Sequence, residues 1–228
     1  MLPEGRGSVF DFIRLTKFNL ARGSHEQPDG NICVTEAAII AAGLEYRAIK
    51  SAEDCPPCFS HIITEYAIGL NDRMPADLRN ELLKPFVHRL AGTSGTDEIE
   101  RRRLEYIVLE TVRRINAHVC RCAIKREDFA ERCEKVGAIK DIKALMTELV
   151  RVSPPPGIGL EERSIFFDAL CVTKRAADFS NGAFPATAAS VAKAATRVCE
   201  PRKIFTLATT ILDGAIRLGR HVSEHAVA

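Results

Sequence analysis

Almost every segment of this chain repeats its apolar residues at the 3.6-residue period of an α-helix, and none alternates apolar with polar residues as a half-buried strand does. Glycine- and proline-rich breaks separate the periodic segments. The pattern constrains the fold to the all-α class, with about ten helices in one compact bundle or two closely packed helical subdomains. A chain of 228 residues with 46% apolar residues has ample material for such a core.

The first helix is expected over about 8–20, with Ser8 as its cap, and residues 22–30 form a loop by their turn chemistry. Asn31 is expected to cap a helix over about 32–42 that Gly43 ends. The next helix opens at Pro56-Pro57 and continues to about Leu70, and another runs from Met74-Pro75 to near Leu90. Gly92-Thr93-Ser94-Gly95-Thr96 is the first break. It separates an N-terminal helical region, 1–93, from a C-terminal one, 97–228, unless the two form a single domain. A long charged helix is expected over about 97–118, with shorter ones near 127–135 and 138–151. Ser153-Pro154-Pro155-Pro156-Gly157 reads as a stiff linker and a further sub-boundary, followed by helices near 160–179, 186–199 and 202–221. Phe179-Ser180-Asn181-Gly182 is a helix stop.

Charge and aromatic content exclude several classes of partner. With 32 basic against 30 acidic residues there is no global field to draw nucleic acid. With no Trp and only 6% aromatic residues there is little to stack bases on. Arg101-Arg102-Arg103 and Arg113-Arg114 are interleaved with Glu98, Glu100, Glu105 and Glu110, so they read as a solvated helix face. No segment is apolar enough to span a membrane, and Asp11, Arg14 and Lys17 break up the N-terminal segment as a signal peptide would not be broken. The eight cysteines are therefore expected in a reducing cytoplasm.

Cysteine spacing supplies the candidate site. Asp54-Cys55-Pro56-Pro57-Cys58-Phe59-Ser60-His61 holds a C-x2-C pair and an imidazole, with Cys33 upstream. On the expected boundaries Cys33 and Cys58 fall in first helical turns, where unpaired N–H groups favour thiolate over thiol, and His61 shares the face of Cys58. Cys33, Cys55, Cys58 and His61 then supply the donors of a tetrahedral zinc site, with His25 as the alternative imidazole. Glu36 and His25 around Cys33 or Cys58 would equally serve metal-assisted hydrolysis or thiol catalysis. The plainer reading of the same residues is packing and capping: buried thiols, Asn71-Asp72 at a helix junction, and Glu36 paired with Arg22 or Arg79.

The pattern Arg22-Gly23-Ser24-His25-Glu26, Asp29-Gly30, Cys33-Val34-Thr35-Glu36-Ala37, Asp54-x-Pro56-x-Cys58, Asn71-Asp72, Arg79, Leu83 and Gly92-Thr93 resembles the opening of an uncharacterised bacterial family. The resemblance covers residues 22–93. It implies that His is accepted at the position of Cys55 and that a further Cys often stands where this chain has Ser60. The family brings no function with it.

Elsewhere, His118-Val119-Cys120-Arg121-Cys122 looks like a second chelating cluster, but Cys120 points to another face and leaves only His118 and Cys122 as an i, i+4 pair, so it reads as structural. Cys133, Cys171 and Cys199 read as core packing. His221 and His225 lie at a solvated end. The leading expectation is a binding or interaction protein organised by structural zinc. The rivals are a small helical enzyme using the same cluster, and a metal-free homo-oligomerisation module built on the alanine-rich helices 186–199 and 202–221.

Overall fold

The computed structural model describes residues 18–27, 30–177 and 185–219, and over them a succession of helices follows one small piece of sheet. Strand β1, Asn19–Leu20, pairs in parallel with β2, Asn31–Ile32, with Asn19 opposite Asn31. Most of the helix expected over 8–20 lies outside the described residues, and its last two residues are strand. Distant partners win there: the Leu20 N–H donates to Asn80 Oδ1 (2.9 Å) and its carbonyl accepts from Arg79 Nη1 (2.9 Å).

Helix α1, Val34–Ala41, begins at a cap other than the one expected. Asn31 belongs to β2, and Cys33 is the cap. Its sulfur accepts from the Glu36 N–H (3.4 Å), while the Glu36 carboxylate accepts from the Cys33 N–H (2.8 Å). This is a capping box with sulfur in the place of a hydroxyl. Gly43, at φ +69°, takes the left-handed turn that ends the helix.

Helix α2, His61–Arg73, starts several residues later than the prolines predict. Phe59 bridges antiparallel to Ala91, the Ser94 N–H donates to the Cys58 carbonyl (3.0 Å), and the Ser60 N–H donates to Thr93 Oγ1 (3.1 Å). Those contacts keep Cys58 in a turn and Phe59 and Ser60 out of the helix, so Ser60 becomes the cap, its hydroxyl accepting from Ile63 N–H (3.1 Å). Cys58 therefore precedes the helix, and His61 is its first residue.

From 75 to 90 the chain is helical as the spacing predicts: α3, Ala76–Leu83, a 3-10 turn at Lys84–Phe86, and α4, Val87–Leu90. Thr96 caps α5, Asp97–Glu110. The rod then continues past the expected end through a π-wound stretch, Thr111–Asn116, then α6, Ala117–Val119, and a second π-wound stretch, Cys120–Ile124. Helices α7, Glu127–Glu134, α8, Ile139–Leu149, α9, Leu160–Ala177, α10, Pro185–Ala195, and α11, Pro201–Arg217, complete the order, with 154–156 non-helical as three prolines require. Phe179–Gly182, His221 and His225 lie outside the described residues.

Buried apolar side chains form one cluster from Leu20 to Ile216, drawn from both sides of the glycine break and of the proline linker. Helices α2 and α10 pack against each other within it. Ala188, Ala189, Ala192 and Ala195 of α10 are buried within the chain itself, so this face is occupied rather than presented to another copy. A Cβ built on Gly69 would stand 2.8 Å from Ala189 Cβ, so glycine sets the separation of the two helices. Gly69→Ala is expected to lose about 1 kcal/mol, since overpacking of roughly 1–3 kcal/mol exceeds the ~1 kcal/mol gain in helix propensity. Gly69→Val is expected to lose about 2 kcal/mol or more. Urea unfolding checks both, and an alanine variant more stable than the parent would overturn the packing argument.

Candidate metal and thiol sites

The polar residues of the N-terminal pattern converge, but on the backbone. Glu36 is fully buried, and its two carboxylate oxygens accept four hydrogen bonds: from the N–H groups of His25 (2.9 Å), Cys33 (2.8 Å) and Ile49 (3.1 Å) and from His25 Nδ1 (2.9 Å). Burial pushes this carboxyl up, but the hydrogen bonds from Cys33, His25 and Ile49 outweigh it and hold it below the usual range. A carboxylate so occupied is a poor general base. It ties the loop at His25, the start of α1 and the segment at Ile49 into one knot. The expected pairing of Glu36 with Arg22 or Arg79 is replaced by the pair with His25.

Asn71 and Asp72 lie within the last turn of α2 rather than capping the next helix, and they reach back to the same loop. Asn71 accepts from Val34 N–H (3.3 Å) and donates to the Ala21 carbonyl (2.7 Å), while Asp72 accepts from Gly23 N–H (3.0 Å). Arg79, also buried, donates to the carbonyls of Asn71 (2.6 Å), Leu20 (2.9 Å) and Met74 (2.8 Å). Asp54 caps its own turn through the N–H groups of Lys50 (2.9 Å) and Ser51 (2.8 Å). Arg103, expected on a solvated face, is buried and donates to the Thr93 carbonyl (2.5 Å) and Glu100 (2.6 Å). Arg101 does pair with Glu98 at the surface, while Arg113 and Arg114 both pair with Glu110, which is buried.

The four residues expected to hold zinc are not gathered. Among the described residues, the group of three or more His, Cys, Asp or Glu side chains whose donor atoms all lie within 4.8 Å of one another is made elsewhere in the chain, and Cys33, Cys55, Cys58 and His61 supply no such group. His61 is exposed and lines a cavity of about 520 Å³ with Glu53, Glu65 and Asp72 rather than with the cysteines. The thiolate argument also turns over at Cys33. Burial pushes the Cys33 thiol well above its ordinary value, with the Glu36 charge adding to the effect. Burial pushes the Cys55 thiol up to about 11. Desolvation of the anion thus exceeds whatever the helix start contributes at Cys33. Cys58 is half-buried.

The group that does meet is His118, Cys122 and Cys199. His118 is in the last turn of α6, and Cys122 is one turn on, in the second π-wound stretch. Cys199 arrives from the turn that joins α10 to α11. Cys122 and Cys199 are joined by a disulfide across 77 residues, with Cα atoms 6.5 Å apart. Partial burial lowers the His118 pKa and the charges of Lys203 and Arg121 add to that, which favours the neutral ring, the form that ligates metals. Cys122 and Val198 also line a cavity of about 280 Å³ walled by Ile158, Ile165 and Phe166, with Lys125 and Glu162 at its polar edge. The i, i+4 pair was legible in the sequence, but the reading of Cys199 as core packing is corrected. Nothing local marks it, because tertiary packing alone brings it to His118.

Cys133 is a core residue, as expected, and lies against Cys120, whose thiol that contact and burial both push up. Cys171 is exposed, contrary to its reading as packing. No helix among the described residues is long and apolar enough to cross a membrane. The chain matches no protein-family model, no curated protein and no solved structure.

Proposed function

We propose that this protein is a helical binding module that holds zinc in its reduced form, at His118, Cys122 and Cys199 instead of at the N-terminal cysteines. The observation that carries the reading is the mutual approach of one imidazole nitrogen and two sulfurs within 4.8 Å. One nitrogen and two thiolates suit zinc, and three protein ligands leave a fourth position for water or a bound group. That position would sit beside the cavity that Cys122 lines. The ion would fasten the central rod to the start of α11. Two thiolates need a reducing compartment, so the reading places the protein in the cytoplasm.

The disulfide favours a second reading, in which Cys122–Cys199 is a permanent cross-link with no metal. The two states compete for the same sulfurs. Elemental analysis of protein purified under a reducing agent separates them: about one zinc per chain is expected, lost in Cys122→Ser and in Cys199→Ser and weakened in His118→Ala. Reduced protein without stoichiometric metal would leave the cross-link standing. Zinc that survives Cys122→Ser but is lost in Cys58→Ser would return the site to the N-terminal cluster.

A further inference from the structure

Four cationic side chains converge where the ends of three helices meet. Arg73 closes α2, Arg175 stands in the last turn of α9, Lys193 in the last turn of α10, and Arg197 just beyond it. Together with the Ser190 hydroxyl they line a cavity of about 250 Å³, and among the described residues no carboxylate contributes to its wall. The concentration is unusual for this chain, whose charges nearly balance, 32 against 30. Several other arginines are neutralised in place: Arg89 by Asp213, Arg114 by Glu110, Arg121 by Glu127 and Glu134, Arg132 by Glu148. Among the described residues, Arg73, Arg175, Lys193 and Arg197 form no such ion pair. Arg73 donates instead to the Gly69 carbonyl (3.0 Å).

Cations in the last turn of a helix complement its macrodipole, and that accounts for Arg73, Arg175 and Lys193 one at a time. It does not account for their facing one cavity. Each helix end has a whole rim of positions, and gathering like charges raises the energy of all of them unless an anion is shared. Arg197 lies past the end of α10, where its backbone N–H, rather than its guanidinium, donates to the Ala194 carbonyl (3.1 Å).

We propose that this cavity binds the phosphate group of a small phosphorylated molecule. Guanidinium forks match phosphate oxygens in pairs and an ammonium adds a point charge, while the Ser190 hydroxyl, which donates to the Ala186 carbonyl (2.9 Å), keeps that wall polar. A volume of about 250 Å³ suits a phosphate with a few carbons rather than a nucleotide. The near-neutral chain also lacks the broad basic surface that a nucleic acid needs. The site is independent of the zinc reading, being built from other residues.

The test titrates the full chain, at constant ionic strength, with inorganic phosphate and with glycerol 3-phosphate, following amide NMR shifts. Saturable binding of both is expected, with shifts mapping to residues 73, 175, 190, 193 and 197. Tighter binding of the ester shows that the carbon portion is also read, and equal binding shows that phosphate alone is; either supports the site. Arg175→Ala combined with Arg197→Ala, both at exposed positions, is expected to weaken binding about tenfold or more. The charge-matched control Arg102→Ala with Arg151→Ala, also exposed, is expected to leave it unchanged. A response that never saturates, or equal weakening by both double variants, would overturn the proposal, because either marks bulk electrostatics rather than a site.

Discussion

Glu36→Ala is expected to cost about 4 kcal/mol, close to the whole stability of a small domain. The carboxylate serves three backbone N–H groups, two of them on the buried residues Cys33 and Ile49, and the His25 ring. An unsatisfied buried donor costs roughly 1–3 kcal/mol, and a water entering the vacated space recovers part of that. Glu36→Gln keeps the volume but turns an N–H₂ toward donors at one of the two oxygens, so about half the loss, ~2 kcal/mol, is expected. Urea midpoints should fall in the order parent, Gln, Ala, by roughly 1 M or more for Ala with little change in slope. An alanine variant within about 0.3 M of the parent would show that Glu36 is not the knot described.

The same carboxylate gives the pH dependence a sign. Its pKa in the folded chain lies below the ordinary value, so its contribution is fully present above the ordinary carboxylate range. The contribution falls away as pH drops from that range through the lowered value. The stability difference between parent and Glu36→Gln should therefore be constant near neutrality and shrink under acid.

Helix periodicity was legible because it is local: α3, α5 and α7 to α11 follow from their own apolar residues. The starts of α1 and α2 were not. At α1 a sulfur does the work of a hydroxyl, and only the Cys33-x-x-Glu36 spacing hints at it. At α2 the delay comes from the Phe59–Ala91 bridge, a contact across 32 residues of chain that no local signal announces. The residues picked out as chemically special between 22 and 93 are special, but as hydrogen-bonding anchors. Glu36, Asn71, Asp72 and Arg79 fix a loop that has almost no secondary structure of its own, and the polar residue types this requires are those that catalysis also favours. At the His118 group the reverse held. Two of its members were visible four residues apart, where a structural role was the expected one, and the third, 77 residues beyond Cys122, depends on how α10 packs.

Arg79→Ala is expected to be at least as damaging as Glu36→Ala, by about 4 kcal/mol, and for a different reason. All three nitrogens of the buried guanidinium donate to main-chain carbonyls, those of Leu20, Asn71 and Met74. Two of these belong to the end of α2 or just past it, where carbonyls have no helical partner. Replacing a buried ion pair by apolar residues can be neutral when both partners are removed together. Here the acceptors are backbone and remain, so even Arg79→Met, which restores much of the volume, should recover only the packing share of the loss. Arg79→Lys keeps the charge but not the fork, and a single ammonium cannot reach three carbonyls in different directions, so a loss of about 2 kcal/mol is expected. Because the Leu20 carbonyl anchors β1, the damage should appear first in the loop that follows it, as trypsin cleavage after Arg22 at urea concentrations where the rest of the chain still resists. If Arg79→Met matched the parent in both midpoint and cleavage, the three carbonyls would have found other donors, and the guanidinium would be a space-filler rather than the clamp on β1.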